Sequence, residues 1–179
     1  MKALTKFVPA ACLALALCSV GTGCASGPSV RTSYEPTTNF ASFKTFALNH
    51  PNHPTPAPGG VDPFTVFRLR QMVYSQLAAQ NYTAAPFDRA QLLVTVNAEA
   101  RTHTEATPNH SYHYGYYGTE VRTTPTLMLT VDLVDAASKA LVWHGSGEIV
   151  AHGRPDEAEL WGLVQAILAR FPPTAPGNE

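Results

Sequence analysis

Two runs of strict alternation limit what this chain can fold into more than any other feature. Leu92, Val94, Val96, Ala98 and Ala100 alternate with Thr95, Asn97, Glu99 and Arg101; Leu127, Leu129, Val131 and Leu133 alternate with Met128, Thr130 and Asp132. Successive strand side chains point to opposite faces, so each run is a half-buried strand. A turn over residues 135–139 leads from the second run into residues 141–151, so residues 126–151 are expected to form a hairpin. Strands of this kind leave one sheet face wet and need a cover on the other.

Two helical stripes can supply that cover. Asp62 then Pro63 places a side-chain acceptor at a helix cap and a proline where no N–H is needed. Val66, Leu69, Val73 and Leu77 follow at spacings of three and four, and Asn81 suits the left-handed residue that closes a helix. The second helix opens with Asp156-x-x-Glu159, a capping-box pattern, and runs through Leu160, Leu163, Val164, Ile167, Leu168 and Phe171 to Pro172-Pro173. Residues 40–48, dense in Phe40, Phe43 and Phe46, read as a further strand, and the proline-rich residues 50–63 as a loop. The expected fold class is α+β: an antiparallel sheet with two helices packed on one face, a two-layer sandwich. It fills a single domain over residues 39–173, and residues 174–179 form a disordered tail. No internal repeat is present.

The N-terminus carries an address. Lys2 and Lys6 precede an apolar run over residues 7–20, the length of a secretory h-region and too short to span a bilayer. Gly21-Thr22-Gly23-Cys24 resembles the bacterial lipobox, with Gly21 where an aliphatic residue is usual. Residues 1–23 are thus expected to be a lipoprotein signal peptide and Cys24 the lipidation site. The bland alternative, ordinary cleavage near Gly23-Cys24-Ala25, would give a soluble periplasmic protein. Residues 24–38 form a tether, with residues from about 30 able to pair as a first strand. Cys12 and Cys18 lie within the signal, so no disulfide framework is left for the mature chain. Stable anchoring takes more than one acyl chain, and resemblance to lipoproteins implies three, palmitate among them. Ala25, in place of an Asp that retains lipoproteins at the inner membrane, implies the outer membrane, facing the periplasm. Loss of Lys2 and Lys6 takes the net charge from −1 to −3, which argues against a nucleic-acid partner.

Three stretches are similar to a lipoprotein family known as domain of unknown function 4136 (DUF4136). Tyr34-Glu35-Pro36, Asn39-Phe40 and Phe43-Lys44-Thr45-Phe46-Ala47 resemble its opening signature. Asp132-Leu133-Val134-Asp135-Ala136 with Leu141-Val142-Trp143-His144-Gly145 resembles its central hairpin, and Phe171-Pro172-Pro173 its ending. The resemblance covers about residues 30–173. It implies a bacterial envelope lipoprotein and brings no catalytic residues.

The segment 103–118 is the most unusual, with His103, His110 and His113 beside Tyr112, Tyr114, Tyr116 and Tyr117 among glycines. Read blandly it is an exposed loop joining two strands. Read for metal chemistry, His110-x-x-His113 with His103, Glu105 or Glu120 could complete a zinc-like shell. Read for recognition, the four tyrosines offer a large contact area at low entropy cost, as at interface hot spots. His50-x-x-His53 is a weaker metal pattern in a proline-rich loop. Ser146 lacks the flanking glycines of a nucleophile elbow; His144 and Glu148 share its strand face about 7 Å away, too far for direct activation. Asp132 and Asp135 fall on opposite strand faces, and Asp135 suits the turn. Trp143 and Trp161 suit packing. No cofactor motif is present. The expectation is a non-enzymatic envelope lipoprotein, a structural or protein-interaction module held to the membrane by its lipid, with an envelope protein as partner. The alternatives are a periplasmic metal-binding protein using residues 103–118 and, more weakly, a hydrolase.

Overall fold

The two alternating runs lie side by side at the centre of a six-stranded sheet. The structure, a computed structural model, describes residues 27–50, 53–55, 59–110, 117–151 and 153–173, the side chains at 108–110, 117, 118 and 120 excepted. The strands are β1 (Ser29–Tyr34), β2 (Thr45–Leu48), β3 (Thr83–Ala84), β4 (Leu92–His110), β5 (Tyr117–Asp135) and β6 (Leu141–Val150). The helices are α1 (Pro63–Ala79), between β2 and β3, and α2 (Glu157–Leu168), after β6. Strand order is β1-β6-β5-β4-β2-β3.

The sheet is mixed, which corrects the expectation of a purely antiparallel one. β1, β6, β5 and β4 pair antiparallel, but β2 runs parallel to both β3 and β4. The reason lies in the connection. Hairpins join antiparallel neighbours, whereas the chain leaving β2 passes through α1 before it returns to the sheet beside its starting strand, and such a crossover yields parallel neighbours. Residues 40–48 also divide, into a single 3-10 turn (Phe40–Ser42) and β2.

Both helix caps form as the residues require. The Asp62 carboxylate accepts from the Thr65 N–H at 3.1 Å, and Asn81 turns the chain with φ 69°. Asp156 and Glu159 make a reciprocal capping box, satisfying two donors that the helix itself leaves open. The inner face of the sheet (Val94, Val96, Leu129, Val131, Leu133, Trp143) meets Val66, Leu69 and Val73 of α1 and Leu160, Leu163, Val164 and Ile167 of α2 in one core. Each such fully buried side chain contributes roughly 1.5–3 kcal/mol, so this interface dominates the fold's stability. An irregularity between Leu133 and Val134 in the β5–β6 register lets neighbouring Val142 and Trp143 both be buried.

The stretches that carry the family resemblance meet in space. Phe171 stands 5.9 Å from Phe40, 5.3 Å from Trp143 and 5.4 Å from Tyr82, ring centre to ring centre, and Phe40 touches Tyr34 and Phe43. Thr45 Oγ1 accepts from the Gln91 N–H at 3.1 Å, and the Gln91 side-chain oxygen accepts from the Lys44 N–H at 2.8 Å, pinning β2 beside β4. Asp135 shapes the β5–β6 turn by accepting from the Ser138 hydroxyl and the Ala137 N–H; these bonds hold its pKa below the usual carboxylate range. The shared signature is therefore a packing signature.

Candidate functional site

β4 and β5 are each 19 residues long, about twice what the rest of the sheet can accompany. β6 ends opposite Thr126, and β2 reaches only as far as Val94 along β4. Beyond Arg101 and Thr126 the two long strands pair, among the described residues, with each other, from Thr102↔Pro125 to His110↔Tyr117, the Ala151 N–H on the Pro125 carbonyl at 2.8 Å being the last backbone tie to β6. At about 3.4 Å per residue this two-stranded ribbon stands about 27 Å clear of the sheet. The segment 103–118, expected to be a loop, is thus mostly strand, with only residues 111–116 left between its two arms.

Residues 102–107 and 121–123 are exposed, including Val121 at 60%. The ribbon has no inner face, so no apolar alternation marked it in the sequence. What holds it is β-propensity, supplied by Thr102, Thr104, Thr107, Thr119, Thr123 and Thr124, and complementary cross-strand pairs such as Glu105 opposite Arg122. Pro125 sits where the ribbon leaves the sheet, a position that tolerates a missing N–H. Both outer edges of the ribbon are free of strand partners among the described residues, and such edges invite pairing by another chain.

The histidines separate. His103 lies on the exposed face, its Nε2 3.7 Å from Glu148 Oε1. His110 lies seven residues further along the same strand, which puts more than about 20 Å between the two backbones. His103 and His110 therefore cannot share one ion in this fold. Among the described residues no three His, Asp or Glu side chains are grouped as ligands. His113, Tyr112, Tyr114, Tyr116 and Cys24 lie outside the described residues, as do residues 1–23 and 174–179 and the side chains of His110, Tyr117 and Glu120. Among the described residues no helix is long and apolar enough to cross a membrane.

The wet face of the sheet carries polar rows that cross the strands. One row runs Thr95, Asp132, His144, Ser33, and the next Asn97, Thr130, Ser146, Arg31. His144 Nδ1 lies 2.6 Å from Asp132 Oδ1, a cross-strand pair missed in the sequence because the two residues are 12 apart on different strands. His144 is thereby held by Asp132, its neighbour across the strands, rather than by Ser146 two residues along its own. Trp143 is fully buried, and Trp161 packs half-buried against the core.

On the other side of β4, Arg70 escaped the sequence reading, and His50 was read there only as half of a weak metal pattern with His53, whose Nδ1 lies instead 3.3 Å from the Pro54 carbonyl. Arg70 interrupts the apolar stripe of α1, one turn after Val66 and one before Val73, and is 94% buried, with a relative exposure of 6%. His50 continues past β2 along the β4 edge, where its Nε2 accepts from the Val96 N–H at 2.9 Å. A cation within an apolar stripe was the signal that could have found Arg70.

Residues 30–173 match the family model described as Domain of unknown function (DUF4136). No curated protein matches the chain. Among solved structures it is similar to a PDZ domain protein from Parabacteroides distasonis, with a TM-score of 0.51 at 11% identity, covering 83% of this chain and 37% of that one. It is also similar to a PelC dodecamer from Paraburkholderia phytofirmans, with a TM-score of 0.50 at 14% identity, covering 79% of this chain and 95% of that one. At these identities the likeness is one of fold. The chain spans little more than a third of the first relative's length and nearly all of the second's.

Proposed function

The chain belongs to the DUF4136 family, and on that premise we propose that it is a non-enzymatic lipoprotein of the bacterial envelope that works by protein contact, with the β4–β5 ribbon as its contact arm. The observation that carries this reading is the ribbon itself: nine residue pairs whose described side chains lie outside the core and whose two edges have no strand partner among the described residues. A likeness in fold to PelC, which assembles as a dodecamer, is consistent with a scaffold that presents surfaces to neighbours.

With a lipid at Cys24, the position of the arm supports a partner close to the membrane. Ser29 stands in the same cross-strand row as Glu148, Met128 and Glu99, three residues below the point where the ribbon begins. The N-terminus and the ribbon therefore leave the sheet at the same end. Cys24 precedes Ser29 by five residue steps, a reach of at most about 17 Å. An arm about 27 Å long cannot point straight at a membrane held that close, so it lies against the membrane surface. Its partner is accordingly a membrane-proximal envelope protein, with the outer membrane's periplasmic face as the setting.

The test places a photo-crosslinker at Thr104 or Thr123 in living cells, with a control at Arg89 on the opposite end of the domain. A defined crosslink from Thr104 or Thr123, with none from Arg89, is the expected result. A crosslink to the same protein from Arg89, or none from either ribbon position, would overturn the ribbon's role. Palmitate labelling of the wild type that vanishes in Cys24→Ala is expected; an unlabelled wild type would remove the anchor.

A further inference from the structure

The cleft beside Arg70 has the makings of a ligand site. It is a cavity of about 490 Å³ between α1 and the β4 edge, lined by His50, Thr55, Gly59, Arg70, Asn97 and Glu99 among others. A second cavity of about 460 Å³ adjoins it, sharing His50 and Arg70 and adding the rings of Phe46, Phe67, Tyr74 and Phe87. Both volumes fall in the range of small-molecule sites. Gly59 secures the roof: at φ +95° its carbonyl accepts from the Ala100 N–H at 2.8 Å, and a Cβ there would meet the Ala98 oxygen at 3.0 Å. The backbone at position 59 can therefore lie this close to the β4 edge only as glycine.

Arg70 is out of balance with these surroundings. Its Nε is buried and has no hydrogen-bond partner, and Nη1 reaches Thr55 Oγ1 only at 3.5 Å. No acidic residue occurs in α1 or between His50 and Gly59. Glu99, the one acid lining the cleft among the described residues, is occupied by Arg101 at 2.9 and 3.1 Å. A buried charge without a counter-charge is among the most unfavourable arrangements a fold can hold. His50 does not relieve it. With Nε2 accepting from Val96 the ring is neutral and its proton sits on Nδ1, a second donor beside a cation.

We propose that the cleft binds a small organic carboxylate, its two oxygens taken by Arg70 and His50 and its apolar or aromatic body lying among Phe46, Phe67, Tyr74 and Phe87. The planar guanidinium matches a carboxylate better than a point charge would. One arginine and one neutral imidazole suit a single negative charge, whereas a phosphate group calls for more donors and more cations. The aromatic half of the cleft selects against small inorganic anions.

Calorimetric titration of the full-length protein in detergent with benzoate, benzamide and inorganic phosphate tests this. Saturable benzoate binding is expected, with benzamide and phosphate each weaker by about tenfold or more, and loss of about tenfold or more in Arg70→Met. Equal binding of benzoate by wild type and a folded Arg70→Met would overturn the site. Phosphate binding as tight as benzoate would overturn the ligand class, and so would no saturable benzoate binding up to about 10 mM. Should Arg70→Met fail to fold, nitrogen NMR of the wild type decides: benzoate must shift the Arg70 Nε and His50 ring signals, and shifts confined to other residues would refute the proposal. None of these readouts depends on the ribbon.

Discussion

The indole of Trp143 lies over Gly145. The two residues share the inner face of β6, and a Cβ on Gly145 would collide with Trp143 Cη2 and come within 2.8 Å of both Trp143 Cζ3 and Ile167 Cγ2. Gly147, two residues on, leaves room in the same way for Leu163 and Ile167. The Trp-His-Gly of the hairpin motif is therefore a packing rule: a large ring needs a bare backbone two positions along, and α2 seats itself on the result.

Gly145→Ala should destabilise the protein by about 1–3 kcal/mol, because the ring and α2 must both move to admit one methyl group. Denaturant titration gives the loss, and Trp143 near-ultraviolet dichroism reports the displaced ring. An unchanged midpoint would contradict the packing rule.

Arg70→Met should be as stable as the wild type or more so, by up to about 1–4 kcal/mol, since it replaces an unpaired buried charge with an apolar chain of similar length. A clear loss of stability would mean that the guanidinium is better satisfied than its neighbours suggest. Thermal melting in ligand-free buffer is the measurement.

His50 gives a pH dependence of defined sign. Burial first, and then the charge of Arg70, hold its pKa below the ordinary value of 6.5. As pH falls through 6.5 the unfolded chain takes up the proton before the folded one, so stability drops until the folded pKa is passed. The contribution is fully present above 6.5. His50→Gln, which can still accept from the Val96 N–H, should flatten the difference in melting temperature between pH 7.5 and 5. Parallel curves for the two proteins would refute it.

The ribbon should exchange its amide protons far faster than the strands that continue it. A two-stranded ribbon in water is marginal by itself, and residues 102–107 have no core beneath them. Hydrogen exchange should therefore break sharply at Arg101 and Thr126. Replacing residues 102–125 with Asn-Gly should change global stability by less than about 0.5 kcal/mol. A larger loss would show that the ribbon supports the sheet.

Much of this architecture could be read residue by residue, and the reason is local. Alternation located the inner halves of β4 and β5 because burial on one face imposes a period of two. Asp62-Pro63 and Asp156-x-x-Glu159 marked both helix starts because a cap is satisfied within four residues. The turn at Asp135 was equally local. What tertiary structure decided was long-range. The parallel pairing of β2 depends on where α1 returns the chain, and no residue encodes that alone. The ribbon carries no period because it has no inside. Asp132 meets His144, and Arg70 meets His50, only once strands and helix are assembled. An isolated polar residue announces its partner only when the fold brings the two together.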